Sequence, residues 1–290
     1  VPDNATAGSW FDPSARRAIR LIDATAGETA AHDGATGADA TDDGPLLDAA
    51  LGAALLQQVA AGATETLRIY RPQPTLAFSG RDCASPGIAA AAAAARAAGF
   101  VPVRRGPGGR AAAYHRGTLC LDHVGPVALA GAGAGAGAGQ DTSQIRPRFA
   151  AFAELIAGAL RSAGIDAGIG PVPGEYCPGE FSIHDGAGHK LVGTAQRLVR
   201  GGWLFGTVLV VQDPEPLRSV LDAVYGALGL EWDPRSVGAV SDATPGGVGI
   251  DEVLAALLDA YRRLADLVPA TMPDDTVALA RTRLDLHRVR

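Results

Sequence analysis

Lysine is almost missing from this chain: of its 25 Lys and Arg residues, Lys190 alone is a lysine. Surface cations are therefore arginines, as a GC-rich coding sequence favours, and a lysine that persists alone points to work a guanidinium does badly. An ammonium is compact and its pKa can fall on burial, whereas arginine stays charged. A single surface lysine kept by chance is the competing explanation. Cysteine is scarce too. Cys83, Cys120 and Cys177 form an odd, widely spaced set, a poor disulfide framework that fits a reduced, cytoplasmic setting. No window approaches the roughly 20 apolar residues of a membrane helix, and the N-terminus lacks the basic-then-apolar layout of a secretory signal. The net charge of −6 argues against a nucleic-acid binder, whose affinity rests on basic surface.

What the sequence does have is 47% hydrophobic residues over 290 positions, enough for one large domain or two small ones with a real core. Ala18–Asp23 reads as an edge strand. Residues 24–44 carry almost nothing large and apolar and read as a mobile loop. Leu46, Leu47, Leu51, Leu55, Leu56 and Val59 fall at helical spacing. Short strands are expected over 67–70 and 75–79, an Ala-rich helix over 88–98 ending at Gly99, and strands over 100–105 and 114–124. The Gly/Ala alternation at 131–139 matches a dinucleotide fingerprint only by its repetitiveness; no helix opens on it, so it reads as a linker. A helix over 148–163, strands over 181–184, 191–199 and 203–211, helices over 214–228 and 250–267, and a frayed terminal helix over 274–290 complete the pattern. Irregular alternation with consecutive strands points to an α+β, mixed-sheet fold and not to a doubly wound one.

Two segments carry chemistry. In Arg104–His115 three glycines and a proline follow a strand, so backbone N–H groups can turn toward one ligand. Arg104, Arg105, Arg110 and Arg116 surround them, a local basic patch on an acidic protein. In Glu175–Arg197, Cys177 precedes Pro178-Gly179, an accessible turn. A neighbouring cation makes a thiol nucleophilic by favouring the thiolate, and Lys190 and the arginine loop are the cations at hand. Cys120, between Leu119 and Leu121, reads as structural, while Cys83 stays open. A straight hairpin turning near Gly186 and Gly188 leaves Cys177 roughly 20 Å from the turn, so its loop must fold back to reach Lys190. His184 and His189 flank Asp185, but two imidazoles without a third ligand make no convincing zinc site. No CxxC pair, Walker A loop or GxSxG elbow is present.

These segments resemble the superfamily of lipoate–protein ligase A, octanoyltransferases and biotin–protein ligases. Its first motif, R-R-x-[ST]-G-G-[RG]-A-V-[YL]-H, is met by Arg104, Arg105, Gly108, Gly109, Arg110, Ala111 and His115 with one extra alanine before Tyr114. Pro107 replaces the usual Ser or Thr, and Arg116 stands where ligases often have Asp. The second, K-[LIVF]-[SAV]-G-[ST]-A-Q-[RT], is met by Lys190, Leu191, Val192, Gly193, Thr194, Ala195, Gln196 and Arg197. The resemblance implies mixed, largely antiparallel sheets packed with helices, as in the class II synthetase core. It implies a catalytic domain over 18–250 with flexible insertions at 24–44 and 131–144, an N-terminal tail over 1–17, and a C-terminal helix and tail over 251–290. It also implies that Arg104–His115 lines an acyl tunnel with Gly193, Thr194 and Gln196, and that Lys190 contacts the acyl carbonyl.

ATP-dependent ligases of this group carry an Asn-Asp pair before the lysine-bearing hairpin, where this chain has Tyr176-Cys177-Pro178-Gly179. Octanoyltransferases that resemble ligases place a nucleophilic Cys in a comparable loop. The resemblance thus implies a transferase without metal or cofactor, working by ping-pong transfer. Cys177 takes octanoate (or lipoate) from octanoyl-acyl carrier protein and passes it to a lysine of a lipoyl domain of a 2-oxoacid dehydrogenase E2 or of the glycine-cleavage H protein. Arg104, Arg105 and Arg110 would steer the acidic carriers. The alternatives are an ATP- and Mg²⁺-dependent lipoate–protein ligase, an amidotransferase between lipoyl domains, and a non-catalytic lipoyl-domain binder.

Overall fold

In the central sheet, apolar side chains point both ways, so the sheet needs cover on each face and gets it from different helices. The computed structural model describes residues 16–26, 43–127, 142–244 and 246–289; the expected tail up to residue 15 and most of the two expected insertions lie outside them. Eight strands form the large sheet: β1 (Arg17–Ala24), β2 (Thr66–Tyr70), β6 (Thr118–Pro126), β7 (Ala167–Ile169), β8 (Ile183–Asp185), β9 (Lys190–Val199), β10 (Gly202–Val210) and β11 (Ala265–Pro269). Their order is β11-β1-β2-β6-β10-β9-β8-β7, parallel only where β1 meets β11 and β2. A second sheet of order β4-β3-β5 uses β3 (Thr75–Phe78), β4 (Val101–Arg104) and β5 (Ala112–Tyr114). The mixed, largely antiparallel α+β class read from the sequence is the class observed.

Two helices, α4 (Ile145–Ser162) and α6 (Ile250–Arg262), cover one face of the large sheet. Phe152, Ile156, Leu160, Val253 and Leu257 pack there on Leu67, Leu121, Trp203 and Phe205. On the other face α1 (Asp43–Ala60) sets Leu55, Leu56 and Val59 against Ile22, Val124 and Leu204. The small sheet packs on α3 (Ile88–Ala97) and α5 (Glu215–Leu228) through Phe78, Ala91, Ala95, Val220 and Val224. The helix ends follow backbone rules. Ser79 and Asp82 form a reciprocal capping box on the short α2 (Gly80–Cys83), and Gly229 closes α5 in the left-handed region. The chain finishes with α7 (Asp274–Arg281) and α8 (Leu284–His287), both against α1.

Three expectations are corrected. The segment Ala18–Asp23 is not an edge strand, because β11 pairs with β1 on its outer side. The helix expected over 250–267 stops at Arg262, and 265–269 is that strand. Helical periodicity there gives way to pairing, with Ala265 buried opposite Arg17. The single strand expected over 114–124 is two, β5 and β6, in different sheets and separated by the turn at Arg116-Gly117.

The aromatic packing under α4 sets a stability test. The Phe152 ring stacks on Phe205 at 4.4 Å between centroids and contacts Trp203 at 5.9 Å. Phe152→Ala should lower stability by about 3–5 kcal/mol, read as an earlier midpoint in guanidinium unfolding, whereas a midpoint within error of wild type contradicts this core assignment.

Candidate active site

Lys190, the first residue of β9, is 1% exposed. A buried ammonium needs a counter-charge and acceptors for its three protons. Glu175 Oε2 lies 2.6 Å from Nζ, and the carbonyls of Tyr176 and Cys177 accept from Nζ at 2.9 and 3.1 Å. The Tyr176 ring lies beneath the ammonium, 4.6 Å from Nζ to its centroid. Glu175, equally buried, also accepts from the Val172 amide (3.0 Å), the Gly179 amide (3.3 Å) and the Ser182 hydroxyl (2.6 Å). The loop before β8 is thus folded back and tied at both ends of one ion pair, the reversal that hairpin geometry demands if Cys177 is to meet Lys190.

The knot holds Cys177 in an unusual backbone state, φ +43°, one of two non-glycine residues with positive φ among those described. Such a conformation costs about 1–3 kcal/mol and persists only where the surroundings impose it. Here the Cys177 amide donates to Tyr225 Oη at 2.7 Å, and that hydroxyl donates to the Ala111 carbonyl at 3.0 Å. The result aims Sγ into the glycine loop. The Arg110 amide donates to Sγ at 3.2 Å, and Arg105 Nη2 lies 3.4 Å away while also reaching the carbonyls of Arg110 (2.7 Å) and Gly108 (2.8 Å). Burial pushes the thiol pKa up, but Arg105, Lys190 and the Arg110 amide more than offset it, so the group lies below its ordinary value of 9.0. Burial raises both other thiols, Cys83 and, much further, Cys120, so of the three it is Cys177 whose thiolate form is favoured.

Gly109 explains why the loop carries glycine. Its φ is +101°, and a Cβ there would stand 2.7 Å from Cys177 Sγ and 2.8 Å from Arg105 Nη2. Gly108, Gly193, Thr194 and Gln196 line the same cleft of about 1790 Å³. Gln196 is tied to α4, accepting from Arg148 Nη1 at 2.9 Å and donating to the Ile145 carbonyl at 2.8 Å.

Other expected site residues fall elsewhere. His115 does not line the cleft: its Nδ1 accepts from the Gly117 amide at 2.8 Å and its Nε2 donates to the Asp213 carbonyl at 2.9 Å, which shapes the turn between β5 and β6. Arg105 points inward to the sulfur, and Arg110 pairs with buried Asp82 at 3.3 Å, so only Arg104 of the three arginines faces outward on the rim. Lys190 has its protons committed to the cysteine loop in this arrangement, not to a carbonyl in the cleft. Sequence reasoning missed Glu175; an acid in the same stretch as the lone lysine was the available signal. Among the described residues no group of three His, Cys, Asp or Glu is placed to hold a metal ion; His189 pairs with Asp185 at 2.9 Å instead.

Residues 45–262 match the family model of the lipoyl protein ligase A/B catalytic domain. The chain belongs to this family. As a member of the lipoyl ligase A/B group it is 28% identical over 229 residues to the octanoyl-[GcvH]:protein N-octanoyltransferase of Geobacillus kaustophilus (strain HTA426), spanning 74% of this chain and 77% of that relative. It is 30% identical over 169 residues to the enzyme of the same name from Anoxybacillus flavithermus (strain DSM 21510 / WK1), 57% of this chain and 56% of that one. In fold, this lipoyl ligase A/B domain is similar to the bi-partite lipoate protein ligase of Thermoplasma acidophilum, studied with its E2 lipoyl domain (TM-score 0.65, 21% identity, 93% of each chain). It is also similar to a lipoate-protein ligase A bound with ATP (TM-score 0.63, 19% identity, 93% of this chain and 94% of that one).

The depressed thiol sets a pH test. Since the thiolate is the reactive form, a lowered pKa keeps alkylation fast at a pH where an ordinary thiol is already protonated. Iodoacetamide labelling of Cys177 should show its inflection below 9, and Arg105→Met should move it upward, with about a tenfold loss of rate per unit on the acid side. An unmoved inflection in Arg105→Met contradicts the role given to this guanidinium.

Proposed function

We propose that the protein is a cysteine-dependent acyltransferase that moves an octanoyl group onto a lysine of a lipoyl domain through an S-octanoyl-Cys177 intermediate. The observation that carries this reading is the thiol itself, aimed into the cleft with its pKa held down by Arg105, Lys190 and the Arg110 amide. The names of the curated relatives support octanoate as the acyl group and the glycine-cleavage H protein as donor. Octanoyl-acyl carrier protein is the alternative donor.

In the first half-reaction the Cys177 thiolate attacks the octanoyl carbonyl, a C–S bond forms, and the C–N bond to the donor lysine (or the C–S bond of a carrier thioester) breaks. The departing amine or thiol takes up a proton. In the second, the amine of the acceptor lysine attacks the thioester and gives up a proton to solvent, the C–N bond forms as the C–S bond breaks, and sulfur leaves again as thiolate into the same donors. The Arg110 amide and the Arg105 guanidinium bond the sulfur and favour the thiolate that attacks and later leaves. Lys190 acts through the loop and through its field on the thiolate. The energy of transfer resides in the acyl bond, so the scheme uses no cofactor or metal. A reducing cytoplasm, which keeps such a thiol free, is the proposed setting.

Partner recognition belongs to the rim. Arg81, Arg104, Arg197 and Arg200 are exposed along the cleft, while the acids lining it are all paired, Glu180 with Arg146 at the surface, and Asp48 and Asp122 with Arg68 deeper in. The mouth is therefore cationic on a protein of net charge −6, a field that draws an acidic domain. Among the described residues no helix is long and apolar enough to cross a membrane.

Mass spectrometry after incubation with octanoylated H protein, and separately with octanoyl-acyl carrier protein, should show octanoate on Cys177, absent in Cys177→Ser. Modification of lipoyl domains that requires ATP and free lipoate and survives Cys177→Ser overturns the reading in favour of a ligase. Lipoyl-domain binding with no transfer leaves a binding protein. Reversing the rim in Arg104→Glu with Arg197→Glu should raise KM for the protein acceptor tenfold or more with little change in kcat; an unchanged KM places docking elsewhere.

A further inference from the structure

The cleft contains an ionic cluster that the transfer reaction does not use. Under α1 it runs over the sheet face where β9, β10, β6 and β2 align Gly193, Val208, Cys120 and Tyr70 in one cross-strand row, and Ala195, Gly206, Asp122 and Arg68 in the next. The floor near the lysine is stripped of bulk: a Cβ on Gly193 would stand 3.7 Å from Lys190 Nζ, and Ala195 and Gly206 follow. At the far side the floor changes character. Asp122 Oδ2 accepts from Arg68 Nη1 at 3.4 Å, Arg68 also pairs with Asp48, and the guanidinium stacks on Tyr70 at 3.8 Å. Arg68 is 1% exposed, and among the described residues its Nε has no hydrogen-bond partner. Burial, against the pull of Arg68, raises the Asp122 carboxyl to about 6. Above it lies Gly52 of α1, where a Cβ would meet Asp122 Oδ2 at 3.1 Å and Leu204 Cδ1 at 3.4 Å. Past Asp122 the cleft continues to apolar Leu56 and Leu204.

The spacing fits a medium chain. Two strand separations of about 4.8 Å and one step of about 6.7 Å along the strand put Asp122 roughly 12 Å from Gly193. An extended eight-carbon acyl group, at about 1.2 Å per bond, spans about 8–9 Å. The methyl end of a chain carried on Cys177, the residue whose own backbone carbonyl accepts from Lys190 Nζ, then meets the carboxylate and not further apolar wall.

Resting on the acyltransferase reading of Cys177, we propose that Asp122, braced by Arg68 and Asp48, is the length stop of the acyl channel, and sets a preference for chains of about eight carbons. Each methylene buried in an apolar slot strengthens binding about fourfold. A ninth and tenth carbon lose that gain by stripping water from a carboxylate and offering it no donor in return.

The test labels the thiol without asking for catalysis. A series of n-alkyl methanethiosulfonates from butyl to dodecyl reacts with the Cys177 thiolate, which attacks the thiosulfonate sulfur to form an alkyl disulfide and release methanesulfinate. Rates at Cys177 are assigned by peptide mapping. Wild type should speed up by tenfold or more from butyl to octyl and fall from decyl onward. Asp122→Ala should move the maximum to decyl or dodecyl, improving decyl over octyl at least fivefold. Gly52→Ala, which pushes a methyl group against the carboxylate and decides the matter should Asp122→Ala not fold, should move the maximum toward hexyl. The same profile in wild type and in either folded variant overturns the length stop. A sharp octyl maximum in a chain that transfers no octanoate from any donor overturns the transferase reading alone. Transfer with a flat profile overturns the length stop alone.

Discussion

A single buried ion pair, Lys190 with Glu175, holds the active region together. It joins the start of a central strand to a loop that would otherwise swing free, and the same two side chains satisfy backbone groups of that loop on both sides of the thiol. Breaking a buried pair by removing one partner typically costs about 3–5 kcal/mol because the survivor is left uncompensated. This explains why lysine persists at one position in a chain that otherwise uses arginine. A guanidinium is planar and wider, and the two carbonyls, the carboxylate and the Tyr176 ring converge on a point charge that one ammonium fills.

The electrostatic design is layered. Innermost, cations and an amide favour a thiolate. Next come small residues that leave room beside it. At the mouth stand the exposed arginines Arg81, Arg104, Arg197 and Arg200. Two kinds of arginine therefore serve one cleft. Arg105 and Arg68 are turned inward and bonded, while Arg104 and Arg197 are exposed. Residue type alone does not separate them. Only the fold decides which guanidinium sees solvent, which is why the outward role first assigned to Arg105 and Arg110 passes to other positions.

Much of this was legible in the sequence because its signals are local. Helical spacing of leucines marked α1, glycine marked the end of α3, and the two motifs marked Lys190 and the glycine loop. A lone cysteine before Pro-Gly pointed to the thiol that lines the cleft, and the need for that loop to fold back followed from strand rise alone. What was not legible depends on partners distant in the chain. β11 pairs with β1 some 250 residues earlier, and its five residues carry no pattern strong enough to end a helix by themselves. Glu175 is one acid among 31 Asp and Glu residues until Lys190 is seen beside it. His115 sits inside a catalytic-looking motif yet bonds to Asp213, which lies 98 positions away.

The left-handed backbone at Cys177 carries an evolutionary consequence. Glycine would sit in that conformation without strain, so the thiol occupies a position where folding alone favours another residue. Copies released from acyl transfer would drift toward glycine here and become sturdier as they fell silent. Cysteine at this φ is held there by its surroundings and not by its own backbone preference.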